Sequence, residues 1–346
     1  MPPKNRRPTI KRYAWKYIAM NDNCYACTKP RDLTVEHIIP QAIGGRLKAR
    51  LYCKECNGTF GEALDDEISK QFGWVGTILN IKRERGNVQP YEVTEVKSGI
   101  KLLCDGKGLK RKDPIVKVLS KDGKKLDSAD ITARTEEELK TICASIQGRY
   151  DVPGGMKTFQ DERPGPTDTE HIMMIDNSLL RRAVSKIAYG FLCIKLPKNV
   201  VFSSSFDPLR LYIREPNNIN LASANYSKTC FMTDYVRPIH KIHVAFNRDE
   251  GILIGFVSIF GIYRFTILLS EAFKSGVEWP GLDYTFDPVR QNEVFGNANF
   301  RAPRLTKEDI LRPKQSKELV QRELDKGYKS LESNSHNFKH LGGEFS

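Results

Sequence analysis

The sequence predicts an α+β protein, and three observations carry that prediction. Two Cys-x-x-Cys pairs, Cys24/Cys27 and Cys53/Cys56, bracket a stretch with strand character and are followed at once by apolar residues at helical spacing. Beyond residue 90 short β-rich runs alternate with Gly and charged turns, and 239–270 reads as antiparallel strands around turns. A charged helical tail ends the sequence.

Each element follows from its local pattern. Residues 9–21, with Tyr13, Trp15, Tyr17 and Ile18 among basic side chains, predict a short helix. Leu33–Glu36 predicts a strand, Pro40 and Gly44-Gly45 a loop, and Leu47–Tyr52 a second strand. After Cys56 the period changes. Phe60, Ala63, Leu64, Ile68, Phe72 and Val75 recur at helical spacing, so a helix should run from Asn57 into the seventies. Strands are expected at Tyr91–Val96, Ile100–Cys104 and Ile115–Leu119, then a helix over Thr135–Gln147, where Thr135 and Glu138 form a capping-box signature. The Pro/Gly-rich stretch 151–168 reads as a linker or long loop. Asp176–Leu196 predicts an amphipathic helix, with Leu179, Leu180, Val184, Ile187, Ala188, Phe191 and Leu192 on one side. The apolar window 251–270 is long enough to raise a membrane span, but Gly255, Gly261, Arg264 and the turn Asn247–Gly251 favour strands. The tail helix at 306–334 shows no obvious core face. The organisation expected is 1–88, a module holding both cysteine pairs behind a basic N-terminal helix; 89–150, a small basic α+β region; 151–170, the linker; 171–304, an α+β C-terminal domain; and 305–346, the tail.

Charge narrows the partner. Of 346 residues, Lys and Arg number 55 against 42 Asp and Glu, for +13, and the excess is sorted: 1–50 carries +8 and 97–125 carries +7. Two such blocks suit a polyanion, and nucleic acid is the expected partner. The basic start has no apolar run behind it, so a cytoplasmic protein without disulfides is expected.

In that setting the paired cysteines read as a metal site. Each knuckle presents two sulfurs about 3.7 Å apart, and two knuckles close a four-thiolate tetrahedron for one structural zinc. Cys104, Cys143, Cys193 and Cys230 stand alone in apolar surroundings and read as core thiols.

Between the knuckles lies Val35-Glu36-His37-Ile38-Ile39-Pro40, with Gly44-Gly45 behind it. The zinc needs no fifth ligand, so His37 remains available to take a proton from water at neutral pH. Glu36 can hold a hard cation through oxygen, and the amide oxygen of Asn57, which follows the last cysteine, could supply a second oxygen ligand.

Cys-x-x-Cys, Glu-His-Ile-Ile-Pro with a following Gly-Gly, and Cys-x-x-Cys-Asn together resemble the HNH endonucleases, the zinc-bearing branch of the ββα-metal nucleases. The resemblance covers roughly residues 20–75. It implies a zinc-stapled ββα-metal module with His37 as general base, Glu36 and Asn57 as ligands of a catalytic Mg²⁺ or Mn²⁺, and Cys24, Cys27, Cys53 and Cys56 around Zn²⁺. It implies phosphodiester hydrolysis giving 5′-phosphate and 3′-hydroxyl ends, most naturally on double-stranded DNA. Arg46, Lys48 and Arg50, with Lys110, Arg111 and Lys112 of the second basic block, are the candidates for gripping the backbone. Free-standing proteins of this kind often serve restriction, phage defence or mobile elements, which is an analogy only.

One departure stands out: family members carry an Asn shortly before the second knuckle that braces the loop of the base, and Lys48–Tyr52 has none. Either backbone groups around Gly44-Gly45 do the bracing, or geometry and rate are poorer than is usual in the family. Two other readings compete with the DNA endonuclease: a zinc-stabilised nucleic-acid-binding protein without catalysis, and an RNA-directed nuclease. Joint retention of Glu36, His37 and Asn57 favours the enzyme. Among the other histidines, His240 and His243 flank Ile242 and are expected on one side of a strand, without enough further ligands for a metal; His171, His336 and His340 have no such framework.

Overall fold

The structure, a computed structural model, describes residues 22–84, 88–105, 109–133, 135–152, 169–170, 174–216, 218–227, 237–273, 281–296 and 305–334. The expected helix at 9–21, all but the first two residues of the 151–168 linker, Cys230, His171, His336 and His340 lie outside the described residues.

The first knuckle is a turn in which Thr28 adopts φ 61° and its N–H donates to Cys24 O at 2.8 Å. β1 (Leu33–His37) pairs antiparallel with β2 (Lys48–Cys53) across a bulge at Thr34/Val35. Cys53 caps α1 (Lys54–Phe60), which continues through a π-helical turn at Gly61–Asp65 into α2 (Asp66–Ile78). The strand–loop–strand–helix order matches the periodicity, with the helix starting three residues before Asn57. Phe60, Leu64, Ile68, Phe72 and Val75 are all buried, which is why the 3.6-residue pattern was visible.

β3 (Tyr91–Glu95), β4 (Lys101–Cys104), β5 (Leu109–Arg111) and β8 (Thr169–Glu170) form a four-stranded sheet in the order β5-β4-β3-β8, while β6 (Ile115–Asp122) and β7 (Lys125–Thr132) pair as a hairpin. α3 (Glu136–Arg149) begins where the cap predicts, Thr135 Oγ1 accepting the Glu138 N–H at 3.1 Å. α4 (Ser178–Lys195), α5 (Lys198–Val201) and α6 (Asp207–Arg214) lead into a six-stranded antiparallel sheet of β9 (Ala222–Ala224), β10 (His240–Asn247), β11 (Ile252–Ile259), β12 (Tyr263–Ser270), β13 (Leu282–Asp287) and β14 (Asn292–Gly296), ordered β14-β13-β10-β11-β12-β9. α7 (Lys307–Leu311) and α8 (Lys317–Asn334) follow. The window 251–270 is thus the β11–β12 hairpin, and no helix among the described residues is long and apolar enough to cross a membrane.

α4 is the hub of the molecule. It packs along β10, β11 and β12 on one face of the large sheet, and Tyr189 Oη donates to Tyr25 O in the first knuckle at 2.9 Å. Its expected polar side is not solvated. Arg182, Ser185 and Lys186 are buried, and Arg182 donates to Tyr212 O and Ile213 O at 3.0 and 2.9 Å; Leu179, assigned to the apolar side, is exposed instead. α2 reaches the same sheet face, Phe72 packing against Tyr263 with ring centroids 4.4 Å apart and the planes tilted by 33°. The buried apolar residues of the ββα unit and of the large sheet belong to one continuous core.

The opposite face is covered by α7 and α8. Thr266 Oγ1 donates to Ile310 O at 3.1 Å, and buried Arg264 meets Glu323 at 3.3 Å. This corrects the expectation that the tail helix has no core face. That face consists of Glu323, Gly327, Tyr328, Ser330 and Leu331, and with one glycine and a carboxylate paired to a buried arginine it does not read as apolar.

Candidate active site

The four knuckle cysteines converge, their sulfurs lying within 4.8 Å of one another. A tetrahedral zinc asks for about 3.7 Å, a closure of about 1 Å at most. Crowding splits the thiols: hydrogen bonding with Cys56 pulls Cys24 down to about 4, while burial pushes Cys53 up to about 11. A zinc ion here would hold all four as thiolates. The donor set fits, and the cluster can serve as a structural zinc site tying the first knuckle to the start of α1.

The loop between β1 and β2 explains the Gly-Gly. Gly44 has φ +91°, and a Cβ there would lie 2.6 Å from Ile81 Cγ2; at Gly45 a Cβ would lie 1.9 Å from Ile39 O. One glycine supplies the left-handed turn and the other lets the chain pass its own backbone. The loop is also held from outside: buried His240 on β10 meets Ile43 O through Nε2 at 2.9 Å, and its Nδ1 accepts the Phe260 N–H at 3.3 Å. Accepting at Nδ1 fixes the tautomer, so Nε2 carries the proton and donates.

His37 ends β1 half-buried, with Nε2 3.5 Å from Glu84 Oε2. Burial, reinforced by Lys48, lowers its pKa, and Glu84 opposes that shift. The imidazole is therefore neutral at neutral pH. Glu84 also pairs with Lys48 and, at 3.3 Å, with Arg46. Arg46 further donates to Lys82 O at 3.0 Å and to Gln291 at 2.9 Å.

Glu36, one residue earlier, is buried and pairs with Lys186 of α4. The same ammonium lies 2.6 Å from Asp65 Oδ1, at the end of the π turn. Burial raises the Glu36 pKa, against the effect of Lys186. Two carboxylates converging on one cation fit a hard divalent ion as well as they fit an ammonium. Asn57 faces the same strand from α1, its Nδ2 donating to Thr34 Oγ1 at 2.8 Å and to Val35 O at 3.3 Å. Both bonds use the nitrogen of the amide.

The basic candidates are placed less uniformly. Arg46 and Lys48 surround Glu84 beside His37, whereas Arg50 Nε donates to Leu33 O at 3.0 Å and so braces the hairpin. Lys110 and Arg111 lie on edge strand β5 and Lys112 directly follows it; Lys110 pairs with Asp105 at 2.7 Å and Lys112 with Glu92 at 2.5 Å. These pairs are local, and the structure does not bring that trio onto the ββα unit.

Sequence reasoning missed Asp65, Glu84, Lys186 and His240. Glu84 sits unmarked in a basic run, and Lys186 and His240 reach the site from 121 and 197 residues away from their partners Asp65 and Ile43. No local signal set Lys186 apart from Arg181, Arg182 and Ser185 on the polar side of the same helix. The pairing expected of His240 and His243 is also corrected. They are three apart on β10 and point to opposite faces, His243 Nδ1 meeting Asp283 at 2.5 Å.

Residues 24–73 match the family model described as HNH endonuclease, so this segment is an HNH endonuclease domain with a four-cysteine cluster. No curated protein and no solved structure matches the chain.

Proposed function

From the HNH endonuclease domain at residues 24–73 we propose that the chain is a metal-dependent endonuclease hydrolysing phosphodiester bonds of double-stranded DNA. The observation that carries this reading is the adjacency of a neutral histidine and a carboxylate-lined cation site, His37 and Glu36, at the end of one strand. Glu84 beside Nε2 favours the proton there and leaves Nδ1 to accept one from water. Glu36, with Asn57 offering its amide oxygen, would hold Mg²⁺ or Mn²⁺. Such an ion supplies Lewis-acid stabilisation of the charge that builds on the scissile phosphate and its departing 3′ oxygen. Lys48 and Arg46, held by Glu84, present positive charge beside the base, and Cys24, Cys27, Cys53 and Cys56 keep β1 and α1 in register around zinc.

A binding module without catalysis is the second reading, and its support is the ammonium of Lys186 against Glu36. Incubation of the purified protein with supercoiled plasmid, with Mg²⁺ or Mn²⁺ and with EDTA, decides between the two; a parallel RNA arm decides the substrate. Metal-dependent nicking or linearisation is expected. Retarded but intact plasmid under every condition would replace the enzyme with the binder.

A further inference from the structure

Lys186 does not belong to the ββα unit. It lies on α4, far beyond the matched segment, yet its ammonium pairs directly with both Glu36 and Asp65. Its side chain is 1% exposed, that of Glu36 6%, and that of Asp65 24%, so the site opens to solvent on the Asp65 side.

The helix is shaped to bring Asp65 there. In an unbroken α-helix Asp65 would sit about 80° around the axis from Asn57. The π turn at Gly61–Asp65 inserts roughly one extra residue and returns Asp65 to the Asn57 face, two turns on. Asn57 accordingly bonds to β1 at Thr34 and Val35, and Asp65 reaches the ammonium beside Glu36 of the same strand. Charge supplies a second argument. Two carboxylates against one ammonium leave one negative charge uncompensated in a largely buried site, and a divalent ion taking the place of the ammonium would balance both carboxylates in full.

We infer that Asp65 is a further carboxylate ligand of the divalent ion, and that Lys186 is a positioning residue whose ammonium gathers Glu36 and Asp65 and competes with the ion for them. This rests on the endonuclease reading given above. An ion pair whose only task is to fasten α4 would have no bearing on divalent affinity. A built-in competitor must weaken it.

The test is Mn²⁺ binding by electron paramagnetic resonance on the full-length, zinc-loaded protein, compared among wild type, Lys186→Met, Asp65→Asn and Glu36→Gln. Lys186→Met should bind Mn²⁺ at least tenfold more tightly than wild type, and Asp65→Asn at least tenfold more weakly. Should Lys186→Met be unstable without metal, Mn²⁺ should restore its melting temperature where NaCl of equal ionic strength does not. An unchanged or weakened Mn²⁺ affinity in a folded Lys186→Met, or unchanged affinity in Asp65→Asn, overturns the inference. Glu36→Gln keeps the two readings apart. If it abolishes Mn²⁺ binding and plasmid cleavage while the other two variants bind as wild type does, only the inference has failed; if it alters neither, the endonuclease reading fails with it.

Discussion

His240 Nε2 and the carbonyl of Ile43 meet at 2.9 Å across 197 residues of sequence, and through them the large sheet holds the loop of the catalytic candidate His37. The bond does what the missing Asn before the second knuckle was expected to do, with the brace supplied by a strand of the large sheet. Burial lowers the His240 pKa to about 4, so the folded state binds fewer protons than the unfolded state between that value and about 6.5. The sign follows: stability is intact above pH 6.5 and is lost as pH falls towards 4, by roughly 3 kcal/mol in total. His240→Gln keeps an N–H donor and removes the titration. In urea unfolding at pH 7, 6 and 5 the wild type should lose stability faster than His240→Gln, and parallel losses would contradict the burial argument.

Much of the ββα unit was legible because its signals are local. The cysteine spacing, the Gly-Gly turn and the switch to helical period after Cys56 each depend on residues close in sequence. What surrounds the site was not legible, for the opposite reason. Lys186, Glu84 and His240 carry no motif, and each acquires its role only when α4, the segment after α2 and β10 pack against β1 and its loop. The π turn escaped too, since the buried positions Phe60, Leu64 and Ile68 keep a spacing of four through it.

Gly45 gives a sharp steric prediction. A Cβ only 1.9 Å from Ile39 O cannot be relieved by rotating a side chain, because the obstacle is backbone. Gly45→Ala should cost at least about 2 kcal/mol and displace the loop behind His37. Thermal denaturation and plasmid cleavage should fall together, and a variant with wild-type stability would refute the close approach.

Cys53→Ser tests the metal cluster. A structural zinc can contribute on the order of 10 kcal/mol to folding of its unit. Elemental analysis of the variant should find zinc lost, with circular dichroism showing loss of α1 and its neighbours. A folded wild-type protein purified without zinc would contradict the assignment.

Glu84 and Lys48 act on His37 in opposite senses. Glu84 raises the imidazole pKa and Lys48 lowers it. If His37 is the base, cleavage falls as acid protonates it. Glu84→Gln should then move the acid limb of the rate–pH profile to lower pH, and Lys48→Met should move it to higher pH. Limbs that stay in place in both variants would mean another group supplies the base.

The substitutions at Glu36, His37 and Asn57 should separate catalysis from binding. His37→Ala removes a proton acceptor without touching a zinc thiolate, so zinc content, melting temperature and DNA affinity should stay near wild type while cleavage falls roughly 10²–10⁴-fold. Glu36→Ala should also abolish cleavage, and it strands the buried Lys186 ammonium with Asp65 alone, so a stability loss is expected as well. Asn57→Asp keeps an oxygen and adds charge in the first turn of α1, where an anion is favoured, but it loses the donor to Thr34 and Val35. Asn57→Ala loses both and should be the more damaging of the two. DNA affinity measured across a salt series on His37→Ala completes the separation, since phosphate contacts set the slope and the base does not. Should His37→Ala cut plasmid as fast as the wild type, the assignment of the base falls, and with it the mechanism built on the end of β1.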